Sequence, residues 1–558
     1  MSSPSEIGMS SEHDSDTKTI TPPAAEDMIL TGTRLALVFG AMMLSLFLLA
    51  LDQTILATAL PRIASEFNAF TLQGWVATSF IIAQTVFLLF YGQLLSIFPA
   101  EWVLIATVAI FEAGSLVCGL AQDVNQLIAG RTLSGVGAGG MYVAMIQVLG
   151  QGTRLEDRPR LFGLFGAVFG VASIVGPLLG GALTDHVRLF LRISARADDF
   201  AVIFLILQVA PPLGSNPNEG TPVHIRRAVL SMDYGGAILV AGFVCCLVIA
   251  LQWGGNTKPW NSVGVIVCFV LAAVLAIATV LWEIHLGSAA MCPPKIFKSR
   301  SIYAIAFFCF FTRFLQLQLT YYIPLWFQAA KNHSATRSGL DLLAFMLSTM
   351  LTLIILGIVI GRVGRYQPFL VVAPCFLALA CGLLYYHTSR DVDSAPIARM
   401  TGFQILAGLG IGAVLQNGVL AIQVEFKDAG DLKLLAQAAS MVTFAQFLGG
   451  ALGLATAEPV FATMLARNLR RYAPEVPPDL VEVIKQSPTS IHSVLPQEMV
   501  AHVVTAYSKS ISIVFLVGVP VAGIALVLAL FINDLRIEKA APTQVEDSEK
   551  KESIKETV

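Results

Sequence analysis

An all-α polytopic membrane protein is the fold class that the sequence predicts, and three observations predict it. Of 558 residues, 56% are hydrophobic and 13% are charged, against about 25% charged in a typical globular chain. Mean hydropathy is +0.73. Apolar runs of about 20 residues, long enough to cross a ~30 Å hydrocarbon core as a helix, recur along nearly the whole chain, leaving almost nothing for a soluble domain.

Residues 1–31 are polar, rich in Ser, Thr, Glu and Asp, and too poor in apolar side chains to build a core, so they read as a disordered tail. The first apolar run begins near Leu35 and is long enough to remain as a span, which does not fit a cleaved signal peptide. Spans are expected at 33–58, 73–95, 102–120, 126–149, 160–183, 199–212, 234–253, 262–284, 302–328, 341–364, 367–387, 400–424, 435–464 and 506–532. The sixth is the weakest: Phe200–Ala210 is about half a span, and extending it backwards meets Asp199, Asp198, Arg196 and Arg192. The residues after Asn533 are again charged and solvated.

An even number of spans places both tails on one side. With the N-terminus in the cytosol, the cytoplasmic loops carry Arg154, Arg158 and Arg160, then Arg226 and Arg227, Lys295, Lys298 and Arg300, Arg362 and Arg365, and Lys427 and Lys433. That excess of cations matches the rule for cytoplasmic loops. Arg188, Arg192 and Arg196 on the opposite side weaken the bias. Asn332-His333-Ser334 is then a glycosylation sequon in an external loop.

Gly163–Asp185 is apolar enough to span, yet it holds six glycines and a proline. Gly166 and Gly170, like Gly176 and Gly180, stand four apart and so share a helix face, a spacing that lets membrane helices approach closely. Pro177 lacks an N–H and is expected to bend the helix there.

A net charge of −2 gives no reason to expect nucleic acid as a partner, and the eight cysteines, mostly in or beside apolar runs, show no metal-ligand spacing. No Gly-Lys pair occurs, so the phosphate-binding loop of an ATP-driven pump is missing. No zincin, nucleophile-elbow or haem-attachment pattern appears either. The chain therefore reads as a non-enzyme with no cofactor, and its chemistry rests on ionisable residues inside the membrane, which are costly to place there.

Asp52 lies well inside the first span; desolvation raises a carboxyl's proton affinity, which suits a proton carrier or a solute contact, and equally a structural acid. Arg131 lies early in the fourth span, stays protonated and needs a partner or water. Glu112, Arg313 and Glu458 are further intramembrane charges. Arg313 has no acid near it in sequence, so it either pairs across the bundle or faces a cavity. Gln84, Gln404, Gln416, Asn417 and Gln446, with Phe310, Phe311, Tyr321, Tyr322 and Trp326, are candidates to line a cavity for a mixed polar and aromatic solute, or to serve as helix glue and interfacial belt.

These residues resemble the major facilitator superfamily, specifically its fourteen-spanner drug:proton antiporter branch, which is abundant in fungi and often devoted to toxin or drug efflux. The resemblance runs from about Leu35 to Phe531. Leu51-Asp52-Gln53-Thr54-Ile55 through Ala59-Leu60-Pro61 is similar to the branch's first-helix motif, and Trp75-Val76-Ala77-Thr78-Ser79-Phe80 to the start of its second helix. Arg131 with Gly135, Gly137, Ala138 and Gly139 resembles the fourth-helix motif, whose arginine is implicated in proton coupling. Gly170 with Gly176-Pro177-Leu178-Leu179-Gly180-Gly181 resembles the antiporter motif of the fifth helix. LQWGGNTKPWNS (Leu251–Ser262) is similar to the junction between the branch's two extra helices, and Tyr321-Tyr322-Ile323-Pro324-Leu325-Trp326-Phe327-Gln328 to a later helix pattern.

The resemblance implies a major facilitator fold of two six-helix bundles plus two extra linking helices. It divides the chain into a tail (1–31), an N-terminal bundle (32–212), a polar loop (213–233), the extra helices (234–286), a C-terminal bundle (287–533) with a long loop at 466–502, and a second tail (534–558). It further implies a monomer in a lipid bilayer, plasma or vacuolar, that exports small amphipathic compounds such as a drug or secondary metabolite against protons. Asp52 and Arg131 would couple the proton and the Gly176–Gly181 face would restrict leak. Uptake by symport uses the same fold, and a non-transporting sensor or inactive homologue is the reading from another class. Two stretches depart from the branch. The charged latch after the second helix is replaced by Gly92-Gln93-Leu94-Leu95-Ser96-Ile97-Phe98-Pro99-Ala100-Glu101, and the Trp-rich run expected after Asp185 contains no tryptophan, through divergence or a misjoined reading frame.

Overall fold

The computed structural model describes residues 30, 32–66, 73–183, 229–255, 258–390, 396–426, 432–477 and 495–537, with three isolated positions between 480 and 491. The expected sixth span (199–212) with the residues from 186 that lead into it, most of the 213–233 loop and most of both tails lie outside the described residues. Among the described residues, 13 helices are long and apolar enough to cross a membrane, and each falls on a span expected from hydropathy.

The first group comprises α1 (Gly32–Glu66), α2 (Gln73–Leu95), α3 (Ala100–Leu120), α4 (Val124–Gly152) and α5 (Arg158–Leu183). Two helices follow, α6 (Tyr234–Trp253) and α7 (Val263–Leu286). The second group comprises α8 (Arg300–Lys331), the short α9 (Ala335–Asp341), α10 (Leu343–Val363), α11 (Gln367–Thr388), α12 (Ile397–Val414), α13 (Asn417–Glu425), α14 (Leu432–Tyr472) and α15 (Gln497–Leu530). The helices α14 and α15 outrun their apolar segments, so the loop expected at 466–502 is shorter at both ends; it starts after Tyr472 and stops before Gln497.

Burial sorts these helices by their neighbours. In α4, 89% of the apolar window is buried, because it runs between α2 and α3. Its glycines let the backbones meet: a Cβ on Gly137 would stand 2.7 Å from Thr107 O of α3, and one on Gly139 2.7 Å from Gln84 O of α2. In α7 the corresponding figure is 11%. That helix packs on α6 and leaves Val263, Ile266, Val270, Val274, Ile277 and Ile284 uncovered; such a continuous apolar face is stable only against lipid. The α6 helix in turn rests on α2 and α14, so the pair is a hairpin on the outside of the seam between the two groups.

Both described ends of the chain lie at one end of the bundle. Leu30 N donates to Gly152 O at 2.9 Å, Arg158 Nη1 to Gln423 Oε1 at 3.2 Å, and Asn533 Nδ2 to Glu425 Oε1 at 3.0 Å. At this tail end α5 begins and, after the turn that follows α2, so does α6: Asp233 N donates to Gln93 Oε1 at 3.0 Å. The connection from α5 to α6 therefore joins opposite ends of the bundle. Just outside the spans, Tyr366 donates its phenol to Asn533 O at 3.1 Å, and burial, aided by the charge of Glu425, pushes that phenol well above its ordinary range.

The groups touch along α5 with α10 and α2 with α14. A Cβ on Gly163 would stand 3.2 Å from Ile354 Cα, and one on Gly92 2.5 Å from Ser440 Cβ. Near the end of α2, Gln93 uses both ends of its neutral amide. Besides accepting from Asp233 N, it donates from Nε2 to Ala289 O at 2.9 Å, tying both ends of the outer hairpin to α2. Nearby, burial pushes the Cys292 thiol well above its usual range.

Candidate functional site

Two polar layers sit one above the other inside the helices. In the upper layer, Arg131 Nη1 donates to Asp52 Oδ2 at 2.7 Å, joining α4 to α1. The two side chains are 6% and 16% exposed, so the pair is largely desolvated but reachable. The Arg131 guanidinium also lies over the Phe80 ring of α2, 4.3 Å from its centroid. A cation at that distance gains from the ring quadrupole. From the facing group, half-exposed Tyr321 of α8 comes within range of the Arg131 charge.

Two residues beyond Asp52, Thr54 Oγ1 donates across the seam to Ala172 O of α5 at 3.1 Å. Gly176 makes this contact possible, since a Cβ there would stand 2.6 Å from Thr54 Cβ. Gly170 faces the other group, where a Cβ would approach Met350 Cγ of α10 to 2.9 Å. The glycine face of α5 thus serves both the α1 seam and the seam between groups. Pro177, Gly180 and Gly181 fall in the last turns of α5, and their side-chain surroundings lie outside the described residues, as does the bend expected at Pro177.

The lower layer is eight residues back along α8 from Tyr321, about 12 Å by helical rise. Here Arg313 lines a narrow crevice, too tight to hold a water molecule, with Thr312, Gln316, Leu415 and Gln446. Its Nη1 donates to Gln316 Oε1 at 2.7 Å, and its guanidinium stands 5.4 Å from the Phe447 ring centroid. Among the described residues no carboxylate pairs with it. Across the seam, Gln416 Nε2 donates to Tyr142 OH of α4 at 3.0 Å, and Tyr142 meets Phe447 edge-on at 5.4 Å.

The polar residues of this layer surround a break. Between α12 and α13 the helix is interrupted at Leu415 and Gln416, which frees a carbonyl. Gln446 Nε2 donates to that Leu415 O at 2.7 Å. Such a break is stable inside a membrane only where side chains re-satisfy the backbone.

Two expected cavity residues belong to the framework instead. Trp326 is fully buried in the second core, its Nε1 donating to Ser508 Oγ at 2.9 Å; its large apolar ring is better accommodated between α8 and α15. Asn417 is buried, and its Nδ2 donates to Ala413 O at 2.8 Å, capping α12 locally. Gln84 is buried in α2, away from the crevice lining. Asn332 is exposed in a left-handed turn (φ 54°) that ends α8. Glu112 and Glu458 both have partners in the bundle.

Sequence reasoning assigned no individual role to Tyr142, Phe80, Phe447 or Gln93. One signal was available for Tyr142: it lies 11 residues after Arg131, about three helical turns, and so on the same face of α4.

Comparisons with known proteins agree with this architecture. The Major Facilitator Superfamily model matches residues 42–454. The chain is 32% identical over 500 residues to the MFS-type efflux pump MFS1 of Arthroderma benhamiae, covering 89% of this chain and 91% of that protein. It is 32% identical over 494 residues to the efflux pump aflT of Aspergillus parasiticus, covering 88% and 93%, and 33% identical over 504 to the rubrofusarin-specific efflux pump aurT of Gibberella zeae, covering 90% of each. In fold it is similar to the crystal structure of the human organic anion transporter MFSD10, with a TM-score of 0.53 at 13% identity, covering 88% of this chain and 100% of that one. A bacterial homologue of the lysosomal transporter Spinster gives 0.52 at 12%, covering 90% and 98%. This protein belongs to the Major Facilitator Superfamily.

Proposed function

We propose that this protein is a proton-coupled exporter of small amphipathic compounds, acting as a single chain in the plasma membrane with both tails in the cytosol. The observation that carries the reading is the Asp52–Arg131 pair at 2.7 Å, largely buried yet with the Asp52 side chain still 16% exposed. Protonation of Asp52 from outside cancels its charge, releases Arg131 and loosens the contact between α1 and α4. Deprotonation towards the cytosol restores it. A pair that exchanges one proton for a changed helix contact can drive two bundles to rock about a midplane site. The state described here is closed at the tail end by Gly92 against Ser440 and by Arg158 with Gln423. The crevice at Arg313 is closed in this state, too tight to hold a water molecule, so a solute enters only as the bundles part.

The α5 glycine face keeps the α1–α5 seam tight beside Asp52, which limits leak during that motion. Relatives named as efflux pumps support outward direction. In everted vesicles made with the protein, an acidic interior should drive accumulation of at least one of three fluorescent amphiphiles of different charge, rhodamine 6G, Nile red and 9-anthracenecarboxylate. Accumulation that survives collapse of the gradient would defeat the coupling.

A further inference from the structure

We infer that the Arg313 crevice is a recognition site for an anionic group, so that the solutes carried are amphipathic acids: aromatic compounds bearing a carboxylate or an ionised phenol. The inference rests on the export reading and names what is exported.

The two intramembrane arginines are treated differently. Arg131 has its charge met by Asp52 at 2.7 Å. Arg313 has a neutral amide oxygen at 2.7 Å and an aromatic face at 5.4 Å, and among the described residues no carboxylate. It stands 13 residues into the 32-residue α8, about 20 Å along the axis and so near the bilayer middle. There the cost of a permanent cation is several kcal/mol, and arginine does not shed its proton. An amide dipole and a ring quadrupole offset part of that cost. Among the described residues only its Nη1 has a hydrogen-bond partner, and the guanidinium lines a crevice that is closed in this state and widens only as the bundles part.

That arrangement fits an arriving anion. A planar guanidinium fork matches a carboxylate bidentately, and in a poorly hydrated site the new charge-assisted bonds are stronger than at a surface. The surroundings suit a ring attached to the acid: Phe447 lies beside the guanidinium and meets Tyr142 edge-to-face, so an aromatic cluster adjoins Arg313. Gln316 and Gln446 add neutral polar contacts. No acidic side chain lines the crevice to repel an anion.

The test uses the full chain in lipid nanodiscs and two probes that share one ring system, 9-anthracenecarboxylate and 9-anthracenecarboxamide, with binding read by equilibrium fluorescence and no proton gradient. The wild type should bind the carboxylate at least about tenfold more tightly than the carboxamide, the scale of one charged hydrogen-bonded contact. Arg313→Gln should abolish that preference while changing carboxamide affinity less than about threefold, and Arg313→Lys should retain part of it. Equal binding of the two probes, binding of neither, or a preference that survives in Arg313→Gln would overturn the inference. So would loss of both probes together in a variant that stays folded and monodisperse. Because binding is measured without a gradient, charge-selective binding with no driven flux would refute the export reading and leave the anion site standing.

Discussion

Asp52 and Arg131, 79 positions apart in sequence, meet at 2.7 Å, and Arg131 rests at the same time over the ring of Phe80. One guanidinium thereby gathers α1, α2 and α4 around a single carboxylate. Lysine in place of Arg131 keeps the charge but loses the plane that stacks on Phe80 and the fork that meets Asp52. Arg131→Lys should lower gradient-driven export by about tenfold or more, the effect of a lost charged contact of roughly 1.4 kcal/mol, with unchanged protein levels. Arg131→Gln should lower the thermal midpoint more than the Asp52→Asn/Arg131→Gln double variant does, because the single change strands a desolvated carboxylate. Additive midpoint losses would contradict this coupling.

Gly176 and Gly170 share a helix but should not tolerate change equally. A side chain at Gly176 meets Thr54 of α1, whose hydroxyl already binds Ala172 O. At Gly170 it meets the flexible thioether end of Met350. Gly176→Val should raise passive proton conductance of proteoliposomes by opening the seam next to Asp52, and overpacking there should cost about 1–3 kcal/mol. Gly170→Ala should keep more than half of export activity. The opposite ranking would contradict the division of the α5 face between the two seams.

The tail end should respond to bulk. The Gly92 Cα packs directly on Ser440, with room for no Cβ. Gly92→Val should hold this end open, which a Ser440→Cys reporter would show as faster labelling by a membrane-impermeant maleimide added from the cytosolic side. Arg158→Ala, which removes the link to Gln423, should move labelling the same way by less. Unchanged labelling in both would mean that these contacts do not form the gate.

Much of this was legible in the sequence. Thirteen spans are found where hydropathy puts them, because a run of about 20 apolar residues admits no structure but a helix in lipid. The lone position of Arg313 among apolar residues likewise foretold a cation without an acid on its own helix. What sequence could not resolve is which polar residues serve a cavity and which repair a helix. Gln416, Asn417 and Gln446 look alike in composition, yet Asn417 caps its own turn and Gln446 satisfies the carbonyl at the α12–α13 break. That distinction depends on where a helix stops, which no period records. Gln93 stands in the stretch whose sequence departs from a charged latch, and only the structure shows its neutral amide joining the hairpin to α2.

Gln93→Leu should therefore weaken the attachment of the α6–α7 hairpin. It removes two hydrogen bonds and strands Asp233 N, a loss of about 1 kcal/mol for each bond and more for a buried orphan donor. A lower thermal midpoint with transport largely retained is expected. A variant as stable as wild type would show that the outer hairpin is held by apolar packing alone.

The α5 helix ends opposite the tails and α6 starts beside them, so reporters inserted after residue 185 and after residue 228 should read opposite sides of the membrane, and reporters on the two termini the same side. Termini on opposite sides would refute a fourteen-span chain.

The most direct test is gradient-driven accumulation in everted vesicles by wild type and Asp52→Asn at equal protein levels. Wild type should concentrate an amphiphile only while the interior is acidic, and should release protons from the vesicle as it does so. Asp52→Asn should bind the same compound yet concentrate none. Equal accumulation by the two, or accumulation by wild type after the gradient is collapsed, would contradict proton-coupled export through the Asp52–Arg131 pair.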